Sequence, residues 1–189
     1  DADLLAAFQS KHPPLEMCDK SGRIDIHSFV QVNIKKQLGM ELSRYSVKTL
    51  NFGMLYGMGL KKLAKKLDCS EDEARSIRNA QRKVLSGMQD LDATLKELGR
   101  AGDFMRTWGG RVYYQEPSAI VDGQHRDYGY KLLNYLIQGS AADCTKQAII
   151  NFYKHPKRTS RLLVAVHDEI NHSSKPKDVK RNMKALREA

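Results

Sequence analysis

Residues 43–57 read SRYSVKTLNFGMLYG and contain two cations followed by two aromatic residues. Arg44, Lys48, Phe52 and Tyr56 recur at every fourth position, and on a helix of 3.6 residues per turn they form one slowly drifting stripe. The serine that precedes them is a suitable N-cap. A triphosphate lying against the cations would place its base against a ring. The spacing by itself equally fits an amphipathic helix with a solvated basic edge.

The segment around this stretch is strongly basic. Residues 33–68 carry eight Lys or Arg and two acidic residues, a local net charge of +6 in a 189-residue chain whose formal net charge is +10. Such a balance favours polyanionic partners, either nucleic acid or an acidic membrane surface. No apolar run reaches the roughly 18 residues that cross a bilayer, and no signal peptide is evident, so we expect no membrane partner.

The three cysteines, Cys18, Cys69 and Cys144, are far apart and form no Cys-x-x-Cys pair. This spacing argues against a disulfide framework and against a zinc site. A reducing compartment is the natural setting for such a chain, and we expect a cytoplasmic location.

Hydrophobic periodicity and capping residues predict a predominantly helical α+β chain. Ser70 with Glu73 three positions later forms a capping box, and the pair Gly109-Gly110 marks a turn inside an aromatic and β-branched stretch. Helices are predicted over residues 3–9, 24–38, 43–56, 60–67, 70–98, 128–153 and from 179 onward, and strands on both sides of the turn in 104–115 and over 161–166.

The triplet His167-Asp168-Glu169 follows the apolar strand predicted over 161–166. Acidic residues at the end of a strand are well placed to hold a divalent metal. For the triplet taken alone, an ordinary polar turn is the better explanation.

Asn134 and Gln138 are one helical turn apart, so their amides face the same way. Amides can donate to the acceptors that every base pair presents in the minor groove. Without further context, the two residues also fit an ordinary polar surface.

In this order, the segments resemble the family A DNA polymerases, the relatives of bacterial DNA polymerase I. Residues 43–57 resemble motif B of that family, and residues 134–143, NYLIQGSAAD, resemble the palm helix that follows the fingers. Residues 166–169, VHDE, resemble motif C, and residues 25–27, DIH, resemble the segment just after motif A. The resemblance covers essentially the whole chain.

The resemblance implies a partial right-hand polymerase fold, with fingers helices and part of the palm antiparallel sheet. It places a palm-to-fingers segment at residues 1–26, the fingers subdomain at 27–103 and a partial palm subdomain at 104–189. The motif A aspartate, the thumb and an exonuclease domain are expected upstream, and a further palm strand is expected downstream. The chain is therefore expected to be inactive by itself. The long segment between Phe8 and Asp25 is similar to that of phage or metagenomic members.

For the whole enzyme, the resemblance implies DNA-directed DNA synthesis by nucleotidyl transfer from deoxynucleoside triphosphates to a primer 3′-hydroxyl. The implied partners are primer–template DNA and deoxynucleoside triphosphates, and the implied cofactor is Mg²⁺ in a two-metal site. Asp168 is then a catalytic metal ligand, Glu169 an auxiliary catalytic acid, and Lys48 the general acid for the departing pyrophosphate. No motif identifies a processivity factor.

The resemblance also implies nucleotide-binding roles. Arg44 and Lys48 would hold the triphosphate, and His27 would reach its β-phosphate. Phe52 would pack against the incoming nucleotide, and Tyr56 would stack where the template base enters. Family members with Tyr at the position of Phe52 accept dideoxynucleotides, whereas those with Phe reject them.

Four residues are implied to contact DNA. Asn134 and Gln138 would read the minor groove, His167 would touch the primer terminus, and Arg111 would lie near the primer–template backbone. Many relatives carry Arg four residues before the asparagine, but Tyr130 stands there in this chain.

Two alternatives remain open on the sequence. Single-subunit RNA polymerases share the Lys-to-Tyr-Gly pattern of residues 48–57, but they usually have Ser at the position of Glu169, which favours DNA synthesis here. A non-catalytic basic module that only binds nucleic acid would retain binding when Asp168 is replaced by Ala and would show no metal effect.

Overall fold

The computed structural model describes residues 2–167 and 169–189. Contacts divide the chain into two compact units. The first unit comprises residues 1–103 and 115–133, and the second comprises residues 104–114 and 134–189. Within the described ranges, no helix combines the length and the apolar character needed to cross a membrane.

Helices make up most of the first unit, and their starts follow the capping signals of the sequence. The Ser43 hydroxyl accepts a hydrogen bond from the Ser46 amide at 3.0 Å, and Ser70 and Glu73 form both bonds of the predicted capping box. The helices are α1 (Ala2–Gln9), α2 (Ile26–Leu38), α3 (Arg44–Leu55), α4 (Leu60–Leu67), α5 (Glu71–Val84) and α6 (Ser86–Arg100).

The core of the first unit lies between α2, α3, α4 and α5. These helices contribute side chains that are almost completely buried, including Val30, Ile34, Val47, Leu63 and Ile77. Burying apolar side chains is the main favourable term in folding, at about 1.5–3 kcal/mol for each large one. The opposite face of α3 is therefore exposed to solvent, and the cation–aromatic stripe lies on that face.

The prediction of a single helix over residues 70–98 is wrong, because helical structure is interrupted between α5 and α6. Leu85 leaves helical geometry with φ −116° and ψ 53°, and its side chain is only 1% exposed in the core. Burying Leu85 stabilises the turn, and the Leu85 amide still donates to the Gln81 carbonyl at 2.9 Å. Local periodicity continues through the break, so it did not reveal the change of direction.

A hairpin in residues 119–126 was not predicted. Its strands are β3 (Ala119–Val121) and β4 (Gln124–Arg126), which pair antiparallel. Asp122 and Gly123 join them with φ of 52° and 73°. An Asp-Gly pair is the expected signal for such a two-residue turn, since both positions need the left-handed region.

The second unit contains two further hairpins, a short helix and all but the first three residues of a long helix, and the predicted strands and long helix are present. Strands β1 (Phe104–Arg106) and β2 (Val112–Tyr114) pair around the Gly109-Gly110 turn. The long helix α7 and the second hairpin follow, and a short helix closes the unit. Their bounds are α7 (Lys131–Lys154), β5 (Arg161–Val166), β6 (Glu169–Ser173) and α8 (Val179–Glu188). The fold class is α+β, predominantly helical with small antiparallel sheets, as predicted.

Candidate nucleotide and nucleic-acid site

The predicted stripe is present and exposed to solvent: its first three members lie on α3, and Tyr56 is the residue that caps the C-terminal end of this helix. The rings of Phe52 and Tyr56 stack with centroids 6.2 Å apart, and the Lys48 Nζ lies 5.8 Å from the Phe52 centroid. Phe52 is 37% exposed and Tyr56 is 52% exposed, although large aromatic residues are usually buried. The stripe therefore offers two accessible rings beside a cation.

Tertiary structure adds His27 of α2 to this stripe. The imidazole centroid is 6.1 Å from that of Phe52, although the two residues are 25 positions apart in sequence. His27, Lys48, Phe52 and Tyr56 are called the α3 surface below. Burial lowers the pKa of His27, the carboxylate of Asp25 partly raises it, and nearby cations lower it further.

Arg44, the first cation of the predicted stripe, is held by an acidic residue. Its Nε and Nη2 each donate a 2.9 Å hydrogen bond to the carboxylate of Asp25. Burial would raise the pKa of Asp25, but the bonds from Arg44 and Ser28 outweigh this and lower it to about 2. Asp25 also caps α2 by accepting from the Ser28 amide at 2.9 Å. Lys48, in contrast, forms no ion pair with any residue that the structure describes.

Two buried amides behind the α3 surface were missed in the sequence. Asn51 Nδ2 is 2.9 Å from His27 Nδ1, and Gln81 Nε2 donates to Asn51 Oδ1 at 2.7 Å. Asn51 is 8% exposed and Gln81 is 1% exposed. The available signal was a polar residue at a core position, because Gln81 continues the buried face that includes Ile77.

The glycine that ends the 43–57 stretch has a packing reason. Gly57 has a φ of 63°, and a Cβ there would lie 2.4 Å from the Tyr130 ring. A side chain at residue 57 would therefore meet both strain and a steric clash. The Tyr130 ring therefore packs against the backbone of Gly57, just beyond the end of α3.

In the second unit, Asp143 anchors the β1–β2 turn to α7. Its carboxylate accepts from the Thr107 hydroxyl at 2.5 Å, from the Gly109 amide at 3.2 Å and from Arg111 Nη2 at 2.5 Å. The hydrogen bond from the Thr107 hydroxyl lowers the pKa of Asp143, burial partly raises it, and the bonds from Arg111 and Gly109 lower it further, so the pKa lies below its ordinary value. Gly109 is required here because a Cβ would lie 2.7 Å from the Asp143 carboxyl carbon. Asp143 lies within the quoted segment 134–143, but no role was predicted for it.

The predicted DNA-contacting amides differ in their surroundings. Gln138 is exposed. The Oδ1 atom of Asn134 is buried, and no described residue donates a hydrogen bond to it. A buried acceptor without a donor is costly, so a ligand or solvent donor at Asn134 would be stabilising.

The β5–β6 hairpin carries His167 and Glu169 of the predicted metal-binding triplet where its two strands meet. His167 lies in the turn with a φ of 55°, and Glu169 is the first residue of β6. Asp168 lies outside the described residues. Among residues 2–167 and 169–189, no group of three or more His, Cys, Asp or Glu side chains is arranged to hold a metal ion. The described residues therefore do not by themselves form a metal site.

Comparisons with known proteins agree on one family. The family model for DNA polymerase family A matches residues 1–189. DNA polymerase theta of Drosophila melanogaster is 33% identical over 67% of the chain, and DNA polymerase I of Helicobacter pylori is 31% identical over 88%. A solved structure, the POL domain of Pol1 from M. smegmatis in complex with DNA primer-template and dNTP, is 28% identical. It superposes on 96% of the chain with a TM-score of 0.74.

The chain is short beside these relatives. It spans 7% of the Drosophila protein, 19% of the Helicobacter protein and 33% of the solved M. smegmatis chain. The family match nevertheless extends over every residue of the sequence. The chain therefore belongs to DNA polymerase family A.

Proposed function

We propose that the chain takes part in template-directed DNA synthesis, in which a nucleotide passes from a deoxynucleoside triphosphate to a primer 3′-hydroxyl. The observation that carries the proposal is the α3 surface, where a lysine without an ion-pair partner among the described residues and a half-buried histidine adjoin two exposed rings. The complex of the solved relative with primer-template and dNTP supports the same partners.

Lys48 and Arg44 are proposed to hold the triphosphate. Lys48 has no carboxylate partner among the described residues, so its full charge is available to phosphate oxygens. Arg44 uses two N–H groups on Asp25, which leaves three of its five donors. The Asp25 contact fixes the guanidinium plane, so Arg44 reaches phosphate already oriented.

Chemistry at the leaving group is assigned to Lys48. When the α-phosphate is attacked, charge builds on the departing pyrophosphate, and an ammonium in contact with it can stabilise that charge and donate a proton. Phe52 and Tyr56 are proposed to pack against the incoming nucleotide and the template base, because both rings are exposed and side by side.

Primer–template DNA is proposed to contact Arg111, Asn134, Gln138 and His167. Arg111 is supported by its anchorage, since Asp143 and the Tyr113 hydroxyl hold its guanidinium while the side chain stays 38% exposed. The buried Oδ1 of Asn134, to which no described residue donates, supports a ligand contact there.

Family A polymerases generally use divalent metal ions. We propose Mg²⁺, with Asp168 as a ligand and Glu169 as an auxiliary acid, and Mg²⁺ would supply charge stabilisation at the reacting phosphate. The described residues do not by themselves complete a metal site. We further propose a cytoplasmic location, because a reducing compartment suits three free cysteines that form no disulfide.

Primer extension tests the proposal. The active polymerase should extend a primer with deoxynucleotides far faster than with ribonucleotides, and Asp168→Ala should abolish extension while retaining DNA binding. Equal use of both nucleotide types would instead identify an RNA polymerase-like enzyme. DNA binding without extension, unaffected by metal or by Asp168→Ala, would identify a non-catalytic binding module.

A further inference from the structure

A hydrogen-bond network of three polar side chains crosses the core of the first unit and ends at the α3 surface. Gln81 of α5 donates from Nε2 to Asn51 Oδ1 at 2.7 Å, and Asn51 of α3 lies with Nδ2 2.9 Å from His27 Nδ1 of α2. Both amides are almost completely buried. Because buried amides must form their hydrogen bonds, the orientation of each side chain in the network restricts the orientation of the next.

The donor-to-acceptor direction of these hydrogen bonds determines which nitrogen of His27 carries a proton. Because Gln81 donates to Asn51 Oδ1, the amide nitrogen of Asn51 is the atom that faces His27. An amide nitrogen only donates, so Nδ1 must accept. A neutral imidazole that accepts at Nδ1 carries its proton on Nε2.

The reverse arrangement, with both amides turned over, would place the proton on Nδ1 and a lone pair on Nε2. Phosphate oxygens accept hydrogen bonds and do not donate them. A lone pair on Nε2 would therefore repel a phosphate beside Lys48, whereas Nε2–H would bind it. Burial lowers the pKa of His27, Asp25 partly offsets this, and Arg44 and Lys48 lower it further. The neutral imidazole is therefore favoured, and its tautomer determines whether Nε2 can donate to a phosphate.

We infer that Asn51 and Gln81 are positioning residues that hold His27 in the Nε2–H tautomer and present that N–H to the polyphosphate of an incoming nucleotide. The inference rests on the proposed function for its ligand. Its first part, the Nε2–H tautomer of His27, is a property of the protein without substrate and can be tested without a nucleotide.

The tautomer can be measured in protein with ¹⁵N-labelled histidine by long-range ¹H–¹⁵N correlation spectra, at about pH 8 where an unperturbed His is neutral. The wild type should show Nε2–H at His27. Asn51→Asp and Gln81→Glu each replace an amide by a group that only accepts, at nearly unchanged volume. Both should invert the tautomer to Nδ1–H.

Gln31→Glu is the matched control, because Gln31 lies on the same helix as His27 but donates to the Leu42 carbonyl at 2.6 Å. It should leave the His27 spectrum unchanged. Adding dATP to the wild type should shift the Nε2 signal. In the active polymerase, Gln81→Glu should raise the KM for deoxynucleotides by roughly tenfold or more, with a smaller change in kcat.

An Nδ1–H tautomer in the wild type, or an Nε2–H tautomer that survives both substitutions, would overturn the inference. Inverted tautomers with unchanged nucleotide affinity would also overturn it. The wild-type spectrum decides the first step even when a variant fails to fold. If the whole polymerase that contains this chain makes no DNA although His27 shows the expected tautomer and dATP shift, the proposed function is refuted and the inference stands.

Discussion

The guanidinium of Arg44 donates two 2.9 Å hydrogen bonds to the carboxylate of Asp25. The same carboxylate accepts from the Ser28 amide and caps α2. One acidic side chain therefore joins the start of α2 to the start of α3 and orients a cation proposed to bind phosphate. The Arg44 side chain is 54% exposed, so a ligand can still reach it.

Replacing Arg44 should raise the pKa of Asp25. In Arg44→Met, the pKa should move from about 2 toward the ordinary value of 3.8, because the bidentate partner is lost. Because the pKa of Asp25 is lower in the folded state than in the unfolded state, the ionised carboxylate stabilises the folded state at pH values above the ordinary pKa. This stabilisation is lost as the pH falls toward 2. The variant should thus show a weaker pH dependence of unfolding between pH 4 and 2. Carboxyl NMR titration measures the shift. Lys35→Met, which breaks an exposed ion pair with Glu41, should leave it unchanged.

Lys48→Ala should lower the polymerisation rate much more than duplex affinity. Loss of a proton donor and phosphate contact acts chiefly in the transition state, and a fall of roughly a hundredfold or more is expected. Single-turnover kinetics and fluorescence anisotropy measure the two quantities. The control is Lys62→Ala, which removes an exposed cation from α4. Equal losses of rate and affinity would contradict the assignment.

Phe52 should make the polymerase discriminate against dideoxynucleotides, and Phe52→Tyr should relax this selection. The Phe52 ring has no hydroxyl to replace the missing 3′-hydroxyl interaction, and its exposure leaves it accessible to a nucleotide. Competition between dideoxy- and deoxynucleotides gives the ratio. Tyr45→Phe, on the same helix but outside the stripe, should not change it. A wild type that uses both nucleotides equally would show that Phe52 is misplaced.

Asp143→Ala should loosen the β1–β2 turn and weaken duplex binding. The change removes one negative charge, so simple electrostatics predicts tighter binding to DNA. If Asp143 acts by holding Arg111 and the Gly109 amide in place, affinity should fall instead. Amide exchange at Gly109 should speed up by roughly tenfold or more. Asp122→Ala removes the same charge from an exposed hairpin and should bind DNA no more weakly than wild type.

The 189-residue chain by itself should bind DNA without copying it. Among residues 2–167 and 169–189, no group of three or more His, Cys, Asp or Glu side chains is arranged to hold a metal ion, and bridging two metal ions needs carboxylates from more than one strand. Binding should fall steeply with added salt because the surface is basic. Primer extension with Mg²⁺ is the test, and extension well above an Asp168→Ala control would contradict the expectation.

Local signals in the sequence were sufficient for most elements. Ser43 and Ser70 mark helix starts through their hydroxyls, and the four-residue repeat placed Phe52 and Tyr56 on one face of α3. These features depend on residues within one or two turns of each other, so periodicity and capping describe them. Leu85 was missed because the turn there is stabilised by burial, which depends on residues far along the chain.

What the sequence by itself determined is the family, the helical stripe and the residue types that suit phosphate, base and metal. Only the tertiary structure decided which partners those residues have. It brought His27 beside Phe52, paired Arg44 with Asp25, and linked His27 through Asn51 to Gln81. These contacts join residues 19 to 30 positions apart. Long-range contacts of this kind form only when the helices pack, because the hydrophobic core sets their relative positions and leaves each polar side chain facing its partner.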